Sequence, residues 1–96
     1  MTKKDLYNEV RDKYGTRHQV MIAIEELSEL QKELCKALRG ENTIPVHRIA
    51  EEIADVEIML EQLKMIYRVE EESTTWKEQK LIRLVGTLRD VEVVEL

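Results

Sequence analysis

Two short acidic runs hold most of the chemistry this sequence can offer. Glu25-Glu26-Leu27-Ser28-Glu29 and Glu51-Glu52-Ile53-Ala54-Asp55 each gather three carboxylates within five positions. On an α-helix, residues three and four apart are neighbours on one surface. Helical runs would therefore bring Glu25 and Glu26 each beside Glu29, and Glu52 beside Asp55. Like charges held together repel, whereas a hard divalent cation compensates them through oxygen coordination. Magnesium answers that need in both clusters. Either run alone also fits the solvated face of a Glu-rich helix; two runs on adjacent, strongly apolar helices favour a shared centre.

The elements that must position these groups are legible from apolar spacing and punctuation. From Thr2 to about Lys13, Leu6 and Val10 with Tyr7 and Tyr14 read as a short amphipathic helix. Gly15 is placed as its left-handed C-cap, and Thr16 with Gln19 as the capping box of the next helix. Helix two is expected from about Arg17 to Arg39, with Val20, Ile24, Leu27, Gln31, Leu34 and Leu38 on one stripe and the carboxylates roughly opposite. Gly40 stops it, and Pro45 fits the first turn of helix three, with Thr43 or Ile44 near the cap.

Helix three, from about Val46 to Glu70, repeats Ile49, Ile53, Val56, Leu60, Leu63 and Tyr67 at intervals of three and four. Glu52 and Asp55 sit on the shoulder of that stripe, which continues through Met59, Gln62 and Ile66 and implies partial enclosure. The run Glu70-Glu71-Glu72 suits the start of another helix better than the end of this one. Thr74 or Thr75 is placed as the cap of helix four, from roughly Trp76 to Asp90, with Leu81, Leu84, Val85 and Leu88 inward. The tail from Val91 to Leu96 reads equally as a last turn or an extended end. Short connections predict an all-α, compact antiparallel bundle of one domain over residues 1–96.

The paired motif, Glu25-Glu26-Leu27-Ser28-Glu29 followed after a turn by Glu52-Ile53-Ala54-Asp55, resembles the EExxE plus ExxD pattern of the MazG-like all-alpha nucleoside triphosphate pyrophosphohydrolases. The resemblance covers about Arg17 to Tyr67. It implies that Glu26, Glu29, Glu52 and Asp55 hold magnesium, and that a nucleoside or deoxynucleoside triphosphate is cleaved at its α–β phosphoanhydride to monophosphate and pyrophosphate. Two-fold pairing is the commonest assembly and the family also suggests tetramers, so a homodimer or homotetramer is expected. Glu25 or Glu29, left partly outside the metal's coordination sphere, is the candidate to accept a proton from the attacking water.

A triphosphate also asks for cations. Lys77, Lys80 and Arg83 recur three apart on helix four, beside Trp76, which has the face to stack on a base. Each has an ordinary reading as well: a solvated basic face, and a Trp covering a core edge. No asparagine follows Lys77 or Lys80, which departs from the family's pattern and leaves base and sugar recognition open. His18 and His47 read as surface or helix-end residues, and Cys35 as a small core residue without an activating partner.

Composition closes off several other classes. A chain of 96 residues with 43% hydrophobic and 36% charged residues is globular rather than disordered, and small enough to gain from a partner subunit. One Cys and two His exclude an internal disulfide and a Cys/His zinc cluster within the chain. A net charge of −5 argues against a stable nucleic-acid partner. No apolar run reaches membrane-spanning length and no secretory signal opens the chain, so a cytoplasmic setting is expected.

Overall fold

The structure, a computed structural model, describes residues 1–40 and 46–89. Four α-helices follow one another: α1 (Lys3–Tyr14), α2 (Thr16–Leu38), α3 (Val46–Tyr67) and α4 (Glu70–Arg89). The expected roles of Thr43, Ile44 and Pro45, and the tail from Val91, lie outside the described residues. The chain divides into two compact units, Met1–Ile66 and Tyr67–Leu96, and each is described by itself.

In the first unit, a capping box opens α1. Thr2 Oγ1 accepts from the Asp5 amide and the Asp5 carboxylate accepts from the Thr2 amide, both at 3.1 Å. The expected box at Thr16 and Gln19 is not formed. Gly15 alone separates α1 from α2, at φ 91° and ψ 152°, and Thr16 is already the first residue of α2. A single-residue joint leaves no flanking position for a side-chain cap, and the joint needs a positive φ that glycine adopts without a Cβ penalty. That φ/ψ pair also lies outside the left-handed helical region expected of a C-cap.

With its cap role gone, Gln19 turns inward. Its Nε2 donates to Gln62 Oε1 of α3 at 2.8 Å, and both residues are buried. Seven residues further along α2, Glu26 meets Asp55, seven residues back along α3. Advance on one helix matched by retreat on the other makes α2 and α3 antiparallel. The face that α2 turns to α3 runs Gln19, Ala23, Glu26, Leu30, Glu33 and Ala37, all buried or half-buried. That alternation of four and three is the seam spacing of packed helices.

This corrects the expected inner stripe of α2. Ile24, Leu27, Leu34 and Leu38 are exposed, Ile24 at 61% and Leu38 at 88%. On α3, Val56 and Met59 are buried while Val46, Ile53, Leu60 and Tyr67 are exposed. Cys35, expected in the core, is exposed as well. The apolar face and the face meeting the neighbouring helix are therefore different faces, and the carboxylates lie on the second.

α1 is fastened to α3 by a polar contact. Lys3 Nζ lies 2.9 Å from Glu61 Oε2, and Tyr7 donates its hydroxyl to the same oxygen at 3.0 Å. Tyr7 is the buried residue of α1.

In the second unit, α4 begins at Glu70, six residues before the expected Trp76. The acidic run fills its first turn, where negative charge complements the helix dipole. Thr75 is not a cap; it lies inside the helix and donates to the Glu71 carbonyl at 3.1 Å. Helix three ends at Tyr67 instead of Glu70 because Arg68 takes a positive φ of 57°.

Candidate functional site

The site forms where the middle of α2 crosses the first half of α3. Among the described residues, Glu26, Glu52 and Asp55 make one group whose ligand oxygens all lie within 4.8 Å of one another. All three are half-buried. Glu26 projects from the seam face of α2, and Glu52 and Asp55, three apart, share a face of α3.

The electrostatics of the group are those of crowded acids. Burial raises the Glu26 pKa most, followed by the charges of Asp55 and Glu52, a hydrogen bond shared with Asp55, and the charge of Glu29. Glu52 is raised for the same leading reason, with Asp55, Glu29, Glu51 and Glu33 adding to it. The Oε2 atom of Glu52 is buried without a hydrogen-bond partner. A buried, unpartnered carboxylate oxygen is costly unless a proton or a cation meets it. Carboxylate oxygens from two rigid helices suit a hard divalent ion, and suit a soft metal poorly.

Comparison with models of protein families, with curated proteins and with solved structures returns no match.

Of the residues singled out from the sequence, Glu26, Glu52 and Asp55 are thus brought together. Glu29 is exposed and outside the group of three, but its charge acts on both Glu26 and Glu52. Glu25 is exposed, and its backbone carbonyl accepts from Ser28 Oγ at 2.8 Å. Trp76, Lys77, Lys80 and Arg83 are all exposed on α4 in the second unit. Lys80 Nζ lies 5.9 Å from the centre of the Trp76 ring, a cation–π contact within the helix. His18 is an exposed residue stacked on Tyr14, with ring centroids 5.3 Å apart, and His47 occupies the first turn of α3.

One residue escaped the sequence reading. Glu33 lies one heptad beyond Glu26 on the seam face, is 6% exposed, and leaves its Oε2 buried without a partner. Its spacing from Glu26 was the available signal, hidden because the apolar stripe drew the seam to the other side of the helix.

Proposed function

We propose that this chain is a magnesium-dependent nucleoside triphosphate pyrophosphohydrolase, MazG-like in type, that cleaves the α–β phosphoanhydride to a monophosphate and pyrophosphate. The observation that carries this reading is the convergence of Glu26, Glu52 and Asp55, one from each half of the paired acidic motif and a third beside it, within 4.8 Å. The unpartnered Glu52 Oε2 and the raised pKa values of Glu26 and Glu52 support a fit to a divalent ion. Glu26, Glu52 and Asp55 would hold the ion, and Glu29 would complete the set from the edge. When bound, magnesium neutralises phosphate oxygens and acidifies a coordinated water.

The chain's own part is positioning and proton handling. α2 and α3 fix their carboxylates on rigid helices, so little reorganisation is needed as charge shifts along the phosphate chain. Glu29 is better placed than Glu25 to take the water's proton, since its charge reaches two members of the group while it remains in contact with solvent. Lys77, Lys80, Arg83 and Trp76 are candidates for the nucleotide by residue type alone.

We also propose self-assembly, as a homodimer or homotetramer. Helical geometry puts Ile24, Leu27, Leu34 and Leu38 of α2 on the same flank of the antiparallel pair as Val46, Ile53 and Leu60 of α3, and all are exposed. A contiguous aliphatic flank of this extent is what a second copy covers. The same flank favours the rival reading, a helical interaction protein whose acids retain a cation without turnover.

The deciding experiment is a panel of ribo- and deoxyribonucleoside triphosphates with magnesium, resolving pyrophosphate from inorganic phosphate. Monophosphate and pyrophosphate are the expected products. Cation binding without any turnover across the panel favours the rival.

A further inference from the structure

The bond between Gln19 and Gln62 is the middle of a longer hydrogen-bonded row. At its inner end, Gln62 Nε2 lies 3.6 Å from Met59 Sδ. At its outer end, Gln19 Oε1 lies 2.9 Å from His18 Nδ1. Gln19, Gln62 and Met59 are buried while His18 is exposed, so the row runs from inside the α2–α3 contact to solvent.

The inner end fixes the polarity of the whole row. A thioether sulfur carries no hydrogen and can only accept. Gln62 must therefore turn its NH2 group to Met59, which leaves its oxygen for Gln19. Gln19 then donates from Nε2 across 2.8 Å, and its own oxygen faces the histidine. Turning either amide over alone would set oxygen against oxygen or NH2 against NH2. An oxygen acceptor needs a hydrogen, and the atom placed to bring it is His18 Nδ1.

We infer that neutral His18 is held as its Nδ1–H tautomer, the reverse of what a free side chain prefers, and that it is a positioning residue for the α2–α3 contact. Tyr14 steadies the ring from across the Gly15 joint, stacking on it at 5.3 Å and 25°. An imidazole that donates from one nitrogen is fixed in orientation, and its other nitrogen becomes the reactive one. On this exposed ring Nε2 is therefore the atom that takes a proton or an electrophile. A proton added there leaves Nδ1–H in place, so the row persists in both charge states. None of this depends on an ion at the acidic centre.

The test uses the full chain, labelled with the heavy nitrogen isotope, and a long-range proton–nitrogen correlation of the imidazole rings in mildly alkaline solution. The sequence has two histidines, so His47→Ala assigns the remaining ring. A protonated, pyrrole-type Nδ1 and a pyridine-type Nε2 are expected for His18. The opposite pattern, or an average of the two, would overturn the tautomer. Positioning is read separately, by rescue. An asparagine carries its NH2 near the place of Nδ1, and a glutamine near that of Nε2. His18→Asn is thus expected to keep the wild-type unfolding midpoint, while His18→Gln and His18→Ala each lose about fivefold in the folded-to-unfolded ratio. In a Gln19→Ala background the advantage of His18→Asn over His18→Gln should vanish, which removes helix propensity as its cause. Equal stability of the three variants, or an advantage that survives without Gln19, would overturn the positioning role.

Discussion

The buried hydrogen bond from Gln19 to Gln62 sets the register that brings Glu26 opposite Asp55 two turns away. A slip of α2 against α3 would break the amide pair and disperse the acids together. Gln19→Ala leaves the Gln62 amide without its partner, and is expected to cost roughly 1 to 3 kcal/mol in chemical denaturation. Replacing both with Leu should cost less than the single change, because no polar group is then stranded. Unchanged stability in Gln19→Ala would show that the pair does not set the register.

Removing single carboxylates separates stability from activity. Glu26→Gln, Glu52→Gln and Asp55→Asn are each expected to lower turnover by about a hundredfold or more, with helical content retained by circular dichroism. Metal-free Glu26→Gln should melt above the wild type, because it relieves crowding among half-buried acids. Full activity in all three variants would place the chemistry elsewhere.

The pH dependence has a definite sign. Glu26 and Glu52 have folded pKa values above their unfolded ones, so the folded state binds more protons in the window just above the ordinary carboxylate range. Stability is then greater on the acid side of that window and falls as pH rises through the folded values. Asp5 and Glu61 are shifted down, Glu61 chiefly by its bond to Lys3, and their contribution is lost only at more acid pH. Metal-free protein is therefore expected to melt higher at about pH 5 than at about pH 7. Magnesium should narrow or reverse the difference, and a scan showing the opposite order without metal would refute the account.

Backbone conformation gives an independent check. A Cβ at Gly15 meets nothing within 4 Å, so Gly15→Ala reports the positive φ of 91° alone. The expected loss is about 1 kcal/mol or somewhat more. Arg68→Gly should be neutral or slightly stabilising, since φ 57° is uncommon for a residue with a side chain. Equilibrium unfolding of both variants decides the point.

The exposed aliphatic flank predicts an assembly. Leu27→Glu with Leu34→Glu places charge in its centre, and sedimentation should show a smaller species than the wild type while α2 stays helical. A wild type that sediments as a monomer at every concentration would leave that flank without the proposed second copy.

Much of this architecture was open to sequence reading, and the errors share a cause. Helix existence followed from apolar spacing with Gly15 and Gly40, and the acidic pair of motifs pointed to Glu26, Glu52 and Asp55. The hydropathy stripe of α2, however, marks the face that wants burial most, and within one chain that is not the face meeting α3. Gln19, Glu26 and Glu33 line the contact instead, and a polar seam carries no apolar signature. The start of α4 was missed because Thr74 and Thr75 suit a cap, while the dipole-favoured run at Glu70 won the position. Joints of one or two residues, at Gly15 and at Arg68 with Val69, were too short for the punctuation that sequence reading relies on.

Half-buried and crowded by Asp55 and Glu52, the Glu26 carboxyl holds its hydrogen more tightly than an exposed one would. An ion settling among them must expel that hydrogen to solvent, so capture is an exchange of one cation for another. Heats of binding recorded in buffers of different ionisation enthalpy would then diverge, and affinity would climb with alkalinity until the exchange is complete.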